Sequence, residues 1–292
     1  MASPVALITD STCDIPADLL QRYDIRVIPQ VIIWGDQQLR DRVDITPKDF
    51  YPRLESDPVY PSTTLPHWED MLSAYQGAVE AGAERLLVLT VSRAMSGTFQ
   101  LARQAAQELA VPVDVVDSHG PTMSLGWQVL AAARLRDSMQ EGDPATIAQA
   151  MVERAGMVRE RLASVVCLDT LEYLHRGGRI GGATRFIGAL LNIKPLVVIN
   201  HDSGEVEALG RARTRRKGIE LMYRQFFSRV DTARPLHIAV LHGAAQEDAE
   251  ALVERIRRDY HPLELLINIT GPVLGIHTGP GALAVCGYSE SW

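Results

Sequence analysis

Three short polar runs stand where apolar runs end: Asp10-Ser11-Thr12-Cys13-Asp14, Ser92 to Thr98, and Asp117-Ser118. Ser, Thr and Asp at such places either cap helices or converge on a ligand along one rim of a sheet. An aspartate after a hydrophobic strand is also a place for a phosphotransfer nucleophile, but that chemistry wants a second carboxylate two residues on, where this chain has Thr12. Asp14 instead reads as the cap of a helix opening at Pro16. Ser96 and His277 are the residue types of a nucleophile and its base, which makes a serine-dependent acyl hydrolase or transferase one reading. That reading lacks its Gly-x-Ser-x-Gly elbow, because Ala94 and Thr98 occupy the glycine positions.

Other signatures are absent in identifiable ways. Gly177-Gly178-Arg179-Ile180-Gly181-Gly182 lacks the Gly-Lys-Ser/Thr ending that would hold a nucleotide's phosphates and magnesium. Gly275 to Gly281 has no acidic residue at the distance a dinucleotide site requires. The eight histidines form no His-Glu-x-x-His and no tight ligand cluster, so no metal is expected. Arg211, Arg213, Arg215, Arg216 and Lys217 put five cations within seven residues. They read either as a solvated hairpin end or as a contact for phosphate, an acidic protein surface or nucleic acid, since cations at a helix N-terminus oppose its dipole.

These residues need a frame, and the patterning supplies one. Short runs rich in Val, Ile and Leu alternate with amphipathic segments, the mark of an α/β chain with mainly parallel sheets. The runs are Val5–Ile8, Ile25–Ile33, Arg85–Val91, Val113–Val116, Ser164–Leu168, Leu196–Asn200, His237–Leu241 and Leu263–Ile269. Thr46-Pro47 and Asp143-Pro144 open helices, the second running to about Arg159, and Leu125–Gln140 reads as a further long helix. Asp202-Ser203-Gly204 marks a β-hairpin turn within Ile199–Arg213. With 292 residues two cores are expected, and a boundary near Arg161 divides the chain into residues 1–161 and 162–292.

The net charge of −7 argues against broad phosphate neutralisation, and so against nucleic acid as a partner. No apolar run approaches the roughly 18 residues of a membrane span, and Met1 to Asp10 does not read as a signal peptide. Cys13, Cys167 and Cys286 form no Cys-x-x-Cys pair and read as reduced. A cytoplasmic location is expected.

In chain order, the segments Ile8-Thr9-Asp10-Ser11-Thr12, Pro61-Ser62-Thr63-Thr64, Ser96-Gly97-Thr98-Phe99-Gln100 and Asp117-Ser118 begin a recognisable series. It continues through Thr170-Leu171-Glu172-Tyr173-Leu174, Arg176-Gly177-Gly178-Arg179-Ile180, Asn192-Ile193-Lys194-Pro195 and Gly275-Ile276-His277-Thr278-Gly279-Pro280-Gly281-Ala282. Together these segments, spread over nearly the whole chain, resemble the DegV family of bacterial fatty-acid-binding proteins, which includes the acyl-carrying subunit of fatty acid kinase. The resemblance implies two α/β domains with a ligand tunnel between them, holding a long-chain fatty acid such as palmitate, stearate or oleate. It implies a carboxylate site formed by Thr63, Thr64, Ser96, Gly97, His277 and Thr278, and contacts from Arg213 and Arg179 to a partner kinase or the phosphorylated head group. Thr64 stands where the family has a serine, so both its hydroxyl and its backbone are ways to reach the head group.

The same resemblance implies a monomeric, non-catalytic lipid carrier in phospholipid metabolism, with no cofactor and an ATP-dependent kinase as partner. The residue types suit that role. An ionised carboxylate accepts hydrogen bonds and donates none, so hydroxyls, backbone N–H groups and one imidazole are fitting neighbours. Phe186-Ile187-Gly188-Ala189-Leu190-Leu191 is apolar nearly all round and reads as a buried helix able to wall either a core or a tail.

Overall fold

A computed structural model describes residues 3–139, 142–184 and 193–292. The expected helix at Phe186–Leu191 and residue Asn192 lie outside the described residues. The strands are β1 (Val5–Asp10), β2 (Ile25–Ile28), β3 (Val31–Trp34), β4 (Gln37–Arg40), β5 (Ser62–Thr64), β6 (Arg85–Thr90) and β7 (Val113–Asp117). They continue with β8 (Ala163–Cys167), β9 (Lys194–Asn200), β10 (Glu205–Ala212), β11 (Leu236–His242), β12 (Glu264–Ile269) and β13 (Leu283–Ser289). The helices of the first half are α1 (Ala17–Arg22), α2 (Pro47–Ser56), α3 (Trp68–Glu80), α4 (Thr98–Ala106), α5 (Met123–Ser138) and α6 (Pro144–Arg159). The second half has α7 (Glu172–Arg176), α8 (Arg215–Phe227), α9 (Gln246–Tyr260) and α10 (Pro272–Thr278).

Alternation along the strands builds five layers. In the parallel sheet β2-β1-β6-β7, Ile8, Leu86 and Val88 face α3 and α4, while Leu7, Leu87 and Leu89 face α5 and α6. In the six-stranded sheet β10-β9-β8-β13-β11-β12, Val165, Val240 and Val285 pack on α8 and α9. Val166, Leu241 and Ala284, one position along, turn to the same core as α5. That helix is covered by a sheet on each side, and Met123 through Ala133 are all buried, which is why it carries no polar face. Asp143 caps α6 as expected, accepting from the Thr146 N–H at 3.0 Å.

The α/β class stands, but the second sheet departs from the mainly parallel expectation. Four of its five strand pairings are antiparallel, and only β11 with β12 is parallel. Parallel neighbours need a crossover, and α9 provides one between those two strands. β9 and β10 are instead a hairpin, turning at the expected Asp202-Ser203-Gly204. β13 returns between β8 and β11, running against both.

The apolar run Ile25–Ile33 is two strands in different sheets. Pro29, with no N–H to donate, separates β2 from β3, and β3 pairs antiparallel with β4 and β5 in a small sheet. Ile32, Trp34, Phe50, Tyr51, Val273 and Ile276 form the core between this sheet, α2 and α10. Among the described residues no helix is long and apolar enough to cross a membrane.

Candidate functional site

A cavity of about 320 Å³ opens where the carboxyl ends of the parallel strands, the small sheet, α10 and the inner face of the six-stranded sheet meet. The loops after β1, β2 and β6 bring Thr12, Gln30, Ser96 and Gly97 to it. Strand β5 brings Thr63 and Thr64, its register fixed by pairing Thr63 with Ile32 and Thr64 with Val31. Opposite them, Val166, Leu168, Val197, Ile199, Val206, Leu241 and Ala284 form an apolar wall.

His277 and Thr278 come from the last turn of α10. Asp14 sets where that helix begins. Its Oδ1 accepts from the Gly271 N–H at 2.9 Å and from Arg42 Nη2 at 2.6 Å, and its Oδ2 accepts from Thr122 Oγ1 at 2.8 Å. Asp14 is therefore not the cap of the helix after Pro16, as its spacing suggested: that helix has no side-chain cap, and the buried carboxylate joins three distant segments. Burial raises the Asp14 pKa and the adjacent Arg42 charge opposes the rise. Asp10, the other acid of this loop, accepts from the N–H of Thr12 at 3.0 Å, Thr12 Oγ1 at 2.6 Å and the N–H of Val91 at 2.7 Å, so it fixes two rim loops together.

Burial pushes the His277 imidazole down to about 4, helped by the charge of Arg179, so the ring is neutral. Its Nε2 lies 3.2 Å from Thr63 Oγ1, and its buried Nδ1 has no hydrogen-bond partner among the described residues. Leaving a buried N–H orphaned is worse than leaving a lone pair orphaned, so the proton belongs on Nε2. Nε2–H then donates to Thr63, and the Thr63 hydroxyl proton is released toward the cavity. The ring fits because position 177 is glycine: a Cβ there would lie 2.1 Å from Nδ1.

Ser96 Oγ is 2.8 Å from Thr98 Oγ1, which in turn receives a hydrogen bond from Gln30 Nε2 at 2.9 Å. Among the described residues no hydrogen bond joins Ser96 to His277, so the nucleophile–base pair that a serine hydrolase needs is not formed. Gly97 is the N-cap residue of α4 and packs against Leu65, an exposed apolar side chain at the cavity. The Thr278 hydroxyl donates to the Leu274 carbonyl at 3.1 Å, so its proton is occupied within α10. Exposed Arg179 reaches across the opening, its Nε donating to the Met95 carbonyl at 3.1 Å and its Nη1 to the Gly177 carbonyl at 2.7 Å.

Arg213 does not line the cavity; it is exposed beyond the end of β10. The basic stretch is also less free than its charge suggests. Arg215 Nε bonds Asp248 at 2.9 Å, and its Nη1 lies 3.3 Å from Asp169 and bonds the Gly281 carbonyl, while Thr214 caps α8 by accepting from the Lys217 N–H. Sequence reasoning missed Gln30, Leu65 and Ser164 as cavity residues. Gln30 carries a signal in hindsight, a polar residue after the Pro29 break; Ser164 carries none, since a lone serine in a valine-rich strand reads as tolerated. No group of three His, Cys, Asp or Glu side chains suited to a metal occurs among the described residues.

Comparison with known proteins finds relatives along nearly the whole chain. A family model described as "Uncharacterised protein, DegV family" matches residues 4–290. A DegV domain-containing protein of Streptomyces coelicolor is 36% identical over 98% of both chains, and one of Deinococcus radiodurans is 34% identical over 96% of this chain and 97% of its own. A solved DegV family protein from Thermus thermophilus, described by its fatty acid binding, superposes with a TM-score of 0.87 at 32% identity, covering 98% of this chain and 99% of its own. DegV of Bacillus subtilis, described as a fatty acid binding protein, superposes with a TM-score of 0.85 at 26% identity, covering 99% of this chain and 100% of its own. With the motif series, the fold and the sequence matches all running through the same residues, the chain belongs to the DegV family.

Proposed function

We propose that the protein binds a long-chain fatty acid between two α/β domains, residues 1–161 and 162–292, and presents its carboxylate to a separate ATP-dependent kinase. The observation that carries this reading is the uneven lining of the cavity: apolar strands along one wall, and the hydroxyls of Thr63, Thr64 and Ser96, an imidazole and a guanidinium where the rim loops meet α10. Each buried methylene of a tail contributes about 0.8 kcal/mol, so the wall supplies affinity and the polar end sets orientation. Thr63 and Ser96 donate to the carboxylate, Thr64 and Gly97 border it, and His277 holds the Thr63 hydroxyl in its donating rotamer. Thr278 contributes through its backbone, since its hydroxyl proton faces Leu274.

In this reading the chain performs no bond making, needs no cofactor and acts as a monomer. Arg179 at the opening and Arg213 on the exposed face serve the kinase or the phosphorylated head group. The descriptions of the Thermus and Bacillus relatives as fatty acid binding support the ligand class. Native mass spectrometry of the purified protein, followed by denaturing extraction, tests it: one fatty acid per chain is expected, palmitate, stearate or oleate among the candidates. A nucleotide in its place, or an empty protein that fails to take up added oleate, would overturn the assignment.

A further inference from the structure

Ser164 is 2% exposed, lines the cavity, and its hydroxyl has no nitrogen or oxygen hydrogen-bond partner among the described residues. It sits in the apolar wall with Val166, Val197 and Val206 around the same space. β13 leaves the α10 end of the cavity at Leu283, opposite Cys167, and reaches Cys286 opposite Ser164. On the cavity face of β8 the order Leu168, Val166, Ser164 therefore leads away from His277, over about 13 Å at 3.3 Å per residue.

Among the described residues Ser164 has the Cys286 thiol beside it as a weak sulfur partner and no nitrogen or oxygen partner. His201 Nε2 and Ser124 Oγ pair at 3.0 Å, and Ser124 Oγ also lies 3.5 Å from Cys286 Sγ. Burial pushes the Cys286 thiol up to about 12, so the sulfur stays protonated and is a weak acceptor. A buried hydroxyl with only a weak sulfur partner is unfavourable, and alanine or valine at this place would avoid it.

We propose that Ser164 is a specificity-determining residue that hydrogen-bonds an oxygen on the distal part of the acyl chain, so that the protein accepts hydroxy fatty acids in preference to the unsubstituted chain. The inference rests on the fatty-acid reading of the cavity and adds the substituent and its place. An unsubstituted tail leaves the Ser164 hydroxyl with only its weak sulfur neighbour, whereas a chain hydroxyl at the right carbon accepts its proton and can donate in turn to Cys286 Sγ. Closer to the head group the same strand presents Val166 and Leu168, which offer a chain hydroxyl no partner on that wall.

The test is calorimetric titration of the full-length protein with stearate and with a series of hydroxystearates whose hydroxyl moves carbon by carbon through the distal half. Wild type is expected to favour one position over its neighbours and over stearate by about fivefold or more. Ser164→Ala should flatten that profile while binding stearate within about twofold of wild type, and Ser164→Thr should keep the preference. The ligand-free melting temperature of Ser164→Ala should match or exceed that of wild type, because a buried hydroxyl held only by a weak sulfur contact has been removed. A flat profile in wild type with tight stearate binding, or the same profile in Ser164→Ala, overturns this inference alone. So does a clear fall in the ligand-free melting temperature, which would mean the hydroxyl is satisfied within the protein. Failure of wild type to bind any of the acids removes the fatty-acid reading as well.

Discussion

Thr63→Val removes one hydroxyl and nearly preserves the side-chain volume, which makes it the sharpest probe of the proposed head-group site. In the free protein the substitution deletes the 3.2 Å contact between Thr63 Oγ1 and His277 Nε2. A neutral hydrogen bond of this kind is worth about 1 kcal/mol net, so the melting temperature should fall by only about 2–4 °C for a chain of this size. The bound state loses more, because a hydrogen bond to a charged group is worth about 1.5–3 kcal/mol and the carboxylate is charged. Affinity for a long-chain fatty acid should drop about ten- to a hundredfold. At fixed ligand, the ligand-induced stabilisation should fall by about 1.4–2.7 kcal/mol, since it follows RT ln(1 + [L]/Kd). Thermal melts with and without oleate, paired with calorimetric titration, read both quantities on one sample. Methyl oleate is the control: it keeps the tail and removes the charge, and wild type should bind it about as weakly as Thr63→Val binds the acid. Equal affinity of wild type for acid and ester, or unchanged affinity in Thr63→Val, would refute the carboxylate site.

Asp14→Ala should be far more damaging, losing about 3–5 kcal/mol in denaturant unfolding, because it strands the buried end of Arg42 and frees the start of α10; an effect below 1 kcal/mol would contradict the anchoring role. Arg215→Ala should lower the melting temperature by several degrees through loss of its Asp169, Asp248 and Gly281 contacts, whereas exposed Arg216→Ala should stay within about 0.5 kcal/mol of wild type. Arg213→Ala should leave fatty acid uptake intact and impair phosphorylation in a kinase-coupled assay; loss of uptake in the folded variant would place Arg213 in binding instead. Burial holds the His201 imidazole at about 4, below its ordinary 6.5, so the folded chain takes up a proton there less readily than the unfolded chain. Its contribution is present above pH 6.5 and is lost as pH falls toward 4, and acidification from pH 7 to 4.5 should therefore destabilise wild type relative to His201→Gln by about 2 kcal/mol. The paired comparison is needed because burial pushes the Asp41 carboxyl up to about 7, which acts with the opposite sign across the same range.

Local chemistry along the chain was enough to place much of this protein. Short runs rich in Val, Ile and Leu marked β1, β6, β8 and β11 to within a residue or two, and Asp143-Pro144 opened α6, because these signals act over a few neighbouring residues. The candidate site residues Thr63, Ser96, Gly97, Arg179, His277 and Thr278 came instead from the family resemblance, and all six line one cavity although they are spread over more than 200 positions. Strand direction in the second sheet was not readable, since a parallel or antiparallel neighbour leaves the same alternation in a strand and only the path of the connections decides between them. Neither was the work of Asp14. From its neighbours it is a helix cap, yet its partners Arg42, Thr122 and Gly271 lie 28, 108 and 257 residues away. The same holds for Arg213 and Arg215, two steps apart in one basic run: one ends exposed, the other is tied to Asp169 after β8 and Asp248 in the first turn of α9. Which side chains share the cavity, and which charges are neutralised before any partner arrives, depend on contacts between distant segments, and these form only when the apolar faces of both sheets close on α5 and bring the rim loops within hydrogen-bond range.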